Sequence, residues 1–128
     1  MTIHPAPHIV SILIHVPDWR SATAWYAQAF PQAQRIHHQP DDFGHLQLGS
    51  VALEIVNADA KVACGPAGSV VYWAEADLKA RLNALLALGA TLYRGPMHIA
   101  GDEWLCQLQD PWGNCIGLRQ TRPNMTLG

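Results

Sequence analysis

The chain opens on alternation. From His8 to Val16, Val10, Ile12 and Ile14 fall on one side of an extended segment, and Ser11, Leu13 and His15 on the other. The β-branched content of this run favours a strand over a helix. Pro17 stops it, and Asp18 is placed to cap a helix over about Trp19 to Phe30, where Trp19, Ala22, Tyr26 and Ala29 recur at helical spacing before Pro31. Short alternating runs then predict strands at Gln34 to His38, Gly44 to Leu48 and Val51 to Val56, separated by Pro40-Asp41-Asp42 and Gly49-Ser50 turns. In the last of these strands Ala52, Glu54 and Val56 share one face, and Leu53 and Ile55 share the other.

The order then repeats. Ser69 to Ala74 predicts a strand, and Asp77 caps a helix whose stripe is Leu78, Leu82, Leu85 and Leu86, ended by Gly89. Strands follow at Thr91 to Arg94, Glu103 to Gln109 and Asn114 to Gln120. The last two are joined by Asp110-Pro111-Trp112-Gly113-Asn114, in which Asp bonds the backbone ahead, Pro sets φ and Gly or Asn accepts a positive φ. Superposing the capping Asp18 and Asp77 gives a shift of 59 residues, which lays Ser11 on Val70, Leu13 on Tyr72 and His15 on Ala74. The pattern is two β-α-β-β-β modules, about 8–57 and 68–121, joined by a short, partly apolar linker at about 58–67 within one domain.

Composition narrows the class. Of the 128 residues 49% are hydrophobic and 14% charged, against about 25% charged in ordinary soluble domains. So sparse a charge cover predicts an apolar pocket or a homodimer interface, and the helix carrying Trp19 and Trp25 is the expected interface or core element. A net charge of −2 with dispersed basic residues leaves no footprint for nucleic acid or an anionic membrane. No export signal or membrane-length apolar run is present, and the cysteines Cys64, Cys106 and Cys115 form neither a Cys-x-x-Cys pair nor an even set. A reducing cytoplasm is the expected location.

The paired modules, the Val16-Pro17-Asp18 entry into an aromatic helix around Trp25-Tyr26, the internal Leu88-Gly89-Ala90 and the closing Asp110-Pro111-Trp112-Gly113-Asn114 together resemble the vicinal oxygen chelate superfamily. That group includes glyoxalase I, bleomycin-resistance proteins, fosfomycin-resistance enzymes and extradiol dioxygenases. The resemblance spans about His8 to Gln120 and implies an α+β fold. In it a single eight-stranded, curved mixed sheet forms a cup, with helices on the convex side over Ile12, Ile14, Leu53, Ile55, Ile116 and Leu118. It also implies a ligand inside the cup, often completed by a second subunit.

The superfamily's enzymes bind a divalent metal at four places, which correspond here to Ser11, Glu54, Val70 and Gly117. Glu54 alone is a strong ligand type, because a serine hydroxyl binds weakly and Val and Gly side chains offer no donor. No tightly held metal is therefore expected. Gly117 also lacks the carboxylate that serves as proton-transfer base in glyoxalase-type isomerisation. A displaced site from His15, His45 and Glu54 is the metal-binding alternative, since His15 shares a face with Ser11, and His45 and Gln47 lie on the strand beside Glu54.

The candidate ligand-binding set is Ser11, Leu13, His15, His45, Gln47, Glu54, Tyr72, Trp104 and Arg119. Tyr72 and Trp104 would supply flat aromatic faces for an apolar or cationic compound, or serve as packing. Glu54, the candidate catalytic residue, would be buried among apolar neighbours and so need His15, His45 or Arg119 as partner. His37-His38 reads as solvated surface, and Cys106 and Cys115 as inert packing. Two functions follow from these residues. One is a metal-free, dimeric binding protein of the bleomycin-resistance type for a small apolar or aromatic compound, with antibiotic resistance as its setting. The other is a glyoxalase-like lyase or isomerase, or another small-molecule enzyme, that uses Glu54 with or without a displaced metal.

Overall fold

Each helix starts where a carboxylate replaces a missing helical partner. In the computed structural model, which describes residues 9–38, 43–60, 62–66, 68–100 and 103–120, Asp18 accepts from the Arg20 N–H at 3.2 Å and from the Ser21 hydroxyl at 2.7 Å. The Ser21 hydroxyl, then the Arg20 amide, hold the Asp18 carboxyl below its usual range. Asp77 does the same for the second helix, accepting from the Ala80 N–H at 3.1 Å. The elements run β1 (Ser11–Val16), α1 (Trp19–Ala29), β2 (Gln34–His38), β3 (Phe43–Leu48) and β4 (Val51–Asn57). They continue as β5 (Val71–Glu75), α2 (Leu78–Ala87), β6 (Thr91–Ala100), β7 (Glu103–Gln109) and β8 (Cys115–Gln120).

The chain divides into two compact units, residues 1–63 and 64–128. In the first, the strands pair in the order β1-β4-β3-β2, with β1 parallel to β4 and the other pairs antiparallel. A parallel pair needs a crossover, which α1 supplies, packing against β1, β3 and β4. Beneath it Val16, Ala22, Tyr26, Ala29, Phe30, Leu46, Leu53 and Ile55 are buried, while Ile12 and Ile14 are half-buried. Asn57, at the end of β4, accepts from the Trp19 N–H at 2.8 Å and ties the last strand to the helix start.

The second unit repeats this plan as β5-β8-β7-β6, with β5 parallel to β8 and α2 against β6 and β8. Its core holds Leu78, Leu82, Leu85, Ala90, Cys106, Leu108, Ile116 and Leu118. Gln120 accepts from the Leu78 N–H at 2.8 Å, and Arg81 meets Glu75 at 3.1 Å. No helix among the described residues is long and apolar enough to cross a membrane.

Several sequence expectations need correction. Among the described residues the strands hydrogen-bond into two four-stranded sheets, one in each unit. Leu86 is not part of the buried stripe; it is 40% exposed. β6 runs on through Gly95-Pro96 to Ala100 instead of ending at Arg94. Proline lacks an N–H and breaks a central strand, but β6 is an edge, and register shifts against β7 flank Pro96. Gly95, at φ +82°, is required there, because a Cβ would lie 3.0 Å from the Leu105 carbonyl oxygen. The lead-in at 1–7 and the Pro40-Asp41-Asp42 turn lie outside the described residues, as do the side chains of His37 and His38.

The β7–β8 hairpin closes on a buried carboxylate. Asp110 Oδ1 accepts from the N–H groups of Trp112 and Asn114, both at 2.9 Å, while the Asp110 N–H donates to the Asn114 carbonyl at 2.8 Å. Asn114 Oδ1 in turn accepts from the Gly65 N–H at 2.9 Å, which anchors the start of the unit to its last turn. Burial pushes the Cys106 thiol up to about 11, and burial followed by the nearby Asp110 charge raises that of Cys115.

Two expected outcomes follow. Asp110→Ala strands two N–H groups in a buried turn and should cost about 2–4 kcal/mol in urea unfolding, while Asp110→Asn, which keeps an acceptor oxygen, should cost markedly less. Equal losses in the two variants would show that the turn does not depend on the carboxyl acceptor. For the thiols, a raised folded value means less thiolate at a given pH. At pH 8 roughly one Cys106 in a thousand is ionised, so iodoacetamide should spare Cys106 and label Cys115 slowly, with the Cys115 rate still climbing above pH 9. Rapid labelling of native Cys115 at pH 7 would contradict this environment.

Candidate functional site

With α1 covering one face of the first sheet, strand alternation sends a defined set of side chains to the other. The register aligns Leu13 with Glu54 and Glu54 with His45, forming one row across β1, β4 and β3. The next row is Ser11, Ala52 and Gln47. His15 lies beside Val56 on the same face. The predicted residues of the first module thus share one face. Leu13 is 50% exposed and Glu54 half-buried, which corrects the expectation of a buried carboxylate.

Polar contacts on this face run along β3. His45 Nε2 lies 2.8 Å from Gln47 Oε1, and Gln47 Nε2 donates to the Gly49 carbonyl at 2.8 Å. Because the amide nitrogen is committed to that carbonyl, the oxygen is the acceptor, and His45 carries its proton on Nε2. Among the described residues no three His, Cys, Asp or Glu side chains form a group able to hold a metal, so His15, His45 and Glu54 share a face without converging as ligands.

The second unit has the same arrangement with different chemistry. Tyr72 aligns with Gly117, and Gly117 with Gln107, so the row Tyr72-Gly117-Gln107 is the counterpart of Leu13-Glu54-His45. Where module one has a carboxylate, module two has glycine, and the Tyr72 ring lies over it. A Cβ built on Gly117 would fall 2.5 Å from Tyr72 Cδ1 and 2.7 Å from Cε1. The superfamily's carboxylate position is therefore filled by an aromatic ring. With Ser11 and Val70 at two further positions, the residues present do not fit the superfamily's metal.

Gln107 donates from Nε2 to the Tyr72 hydroxyl at 2.7 Å and accepts at Oε1 from the Cys115 thiol at 3.7 Å. Sequence reading missed Gln107, although counting back from the Asp110 turn places it opposite Gly117. Two other predicted residues differ from expectation, Trp104 in its face and Arg119 in its partner. Trp104 shares its face of β7 with the buried Cys106 and Leu108, on the α2 side of the sheet and opposite Tyr72. There it lines a pocket of about 290 Å³ with Leu78, Lys79, Pro96 and Gln120, its ring 5.1 Å from that of His98. Arg119 does lie on the Tyr72 face, but its guanidinium pairs with Glu103 at 3.2 Å rather than with Glu54. That pair is substantially exposed and contributes little to stability.

No family model matches the chain, and no curated protein matches it. Solved structures do. A glyoxalase/bleomycin resistance protein/dioxygenase family enzyme from Burkholderia phytofirmans PsJN is 19% identical, with 88% of this chain and 98% of that one covered and a TM-score of 0.72. TnmS3, an antibiotic binding protein from Streptomyces sp. CB03234, is 20% identical, with 94% of this chain and 100% of that one covered and a TM-score of 0.72. An integron cassette protein from the mobile metagenome of V. cholerae is 15% identical, with 94% and 100% covered and a TM-score of 0.73. At these identities the likeness is one of fold, and it agrees with the repeated β-α-β-β-β order: the chain has the vicinal oxygen chelate fold.

Proposed function

We propose that this protein binds a small, largely apolar or aromatic compound without a metal, in the manner of bleomycin-resistance proteins, on sheet faces that the helices leave uncovered. The observation that carries the reading is the Tyr72 ring over Gly117, which puts an aromatic surface at the position where the resemblance implies a metal-binding carboxylate. On the first unit's own uncovered face, the half-buried Glu54 beside the exposed Leu13 supplies an acidic group for a ligand's amine or hydroxyl. TnmS3, of the same fold, is named as an antibiotic binding protein, which supports binding rather than turnover. The free cysteines suit a reducing cytoplasm.

A homodimer belongs to this proposal, with its expected surface moved. Trp19 and Trp25 are half-buried, the former under the Arg20 guanidinium at 5.0 Å and the latter edge-on to Tyr26 at 5.0 Å. The exposed apolar side chains instead gather on the edge strand β6, where Leu92 is 47% and Tyr93 54% exposed, with Met97 and Ile99 beyond them. An apolar edge strand is a surface that soluble proteins normally cover.

Two measurements test these statements. Metal analysis of freshly purified protein should find substoichiometric metal, and naphthylmethylammonium should bind by calorimetry with an affinity that falls about tenfold in Glu54→Ala while the fold is kept. Stoichiometric, tightly held metal, or unchanged affinity in the variant, would reverse the assignment. Sedimentation at micromolar concentration should give a dimer, and Tyr93→Asp with Met97→Asp should give a monomer. A wild-type monomer would remove the dimer from the proposal.

A further inference from the structure

The hydrogen bonds around Tyr72 have a direction, and that direction selects a ligand group. We infer that the Tyr72 hydroxyl is an outward-pointing donor that reads a carbonyl or similar hydrogen-bond acceptor on an aromatic ligand, with Gly117, Gln107 and Cys115 as the residues that position it. The inference rests on the binding role proposed above and adds the polar group the ligand must carry.

The direction follows from the chain of contacts. Cys115 lies 3.7 Å from Gln107 Oε1 with its thiol as donor. Burial and the Asp110 charge keep that thiol protonated at neutral pH, so the Gln107 oxygen faces a donor and its nitrogen is turned to Tyr72. Gln107 Nε2 then donates to the phenol oxygen at 2.7 Å. A hydroxyl that accepts from an amide keeps its own proton for another acceptor, and among the described residues the protein supplies none. Tyr72 is 38% exposed, so that proton faces outward. Accepting one hydrogen bond also strengthens the next one donated, because the bonds in a chain polarise one another.

The ring is held as firmly as the hydroxyl. Gly117 leaves no Cβ between β8 and the ring, so the aromatic face lies against the sheet backbone. Any side chain at 117 must displace it. An acceptor on a flat ligand is thus met by a preset ring and a preset donor, which lowers the ordering cost of binding.

Fluorenone and fluorene, each carrying the same 2-aminomethyl group, form a probe pair that differs at the carbonyl. Calorimetry on the wild-type protein should show the fluorenone bound about fivefold more tightly, the equivalent of one net hydrogen bond of ~1 kcal/mol. In Tyr72→Phe, which keeps the ring and removes the donor, the preference should vanish. Gly117→Ala, which pushes the ring from its seat, should also erase the preference, and Gln107→Glu, whose carboxylate cannot donate to the phenol oxygen and accepts its proton instead, should do the same. A fluorenone preference that survives in Tyr72→Phe overturns the donor role while leaving aromatic binding intact. Failure of both probes to bind the wild type overturns the binding role itself, and this inference with it.

Discussion

Everything in each unit depends on its first strand lying parallel to its last. That pairing cannot be made by a tight turn, so the chain must leave the sheet and return, and the amphipathic helix that carries it covers one face. Once one face is committed, strand alternation decides which side chains meet the helix and which do not. Leu53 and Ile55 go under α1, and Glu54 between them goes to the other face. Ile116 and Leu118 go under α2, and Gly117 to the other face. A slip of one residue in the first of these ladders would bury Glu54 against α1 and expose the core, so the same apolar packing that stabilises the fold also positions the candidate site.

The two units apply one geometry to different chemistry. In the first, the row Leu13-Glu54-His45 keeps an acid beside an imidazole, with polar contacts running along β3 to the Gly49 turn. In the second, the row Tyr72-Gly117-Gln107 has no acid, and the tyrosine occupies the volume an acid would need. These two exchanges depend on each other. Glycine at 117 without Tyr72 would leave bare backbone, and Tyr72 beside any larger residue could not lie where it does.

Much of this was legible from alternation and turn chemistry. Asp18 and Asp77 gave the helix starts, and the Asp110 turn gave the last hairpin, each through a short polar side chain whose bonding is local. The grouping of Ser11, Leu13, His15, His45, Gln47 and Glu54 on one face needed only period two. The face of Trp104 follows from its distance to the turn, which sets it with Cys106 and Leu108, and not from its aromatic type. The full length of β6 is not legible, because proline reads as a strand breaker unless the strand is an edge. The Arg119 pairing with Glu103 was out of reach, since two long exposed side chains can meet any of several neighbours.

Gln107 escaped for a different reason, and it shows what a motif cannot carry. A neutral amide has no charge, no titration and no metal preference, so no pattern of residue types marks it. Its importance comes from position alone, with one end on Cys115 and the other on Tyr72. Restoring a carboxylate at 117 would not recover a metal site, because the new side chain must first displace the ring and break the 2.7 Å bond to Gln107. It would then stand with Ser11 and Val70 at positions that still offer weak or absent ligands. The second unit is therefore built around the tyrosine, and its chemistry is that of a held ring and an oriented hydroxyl.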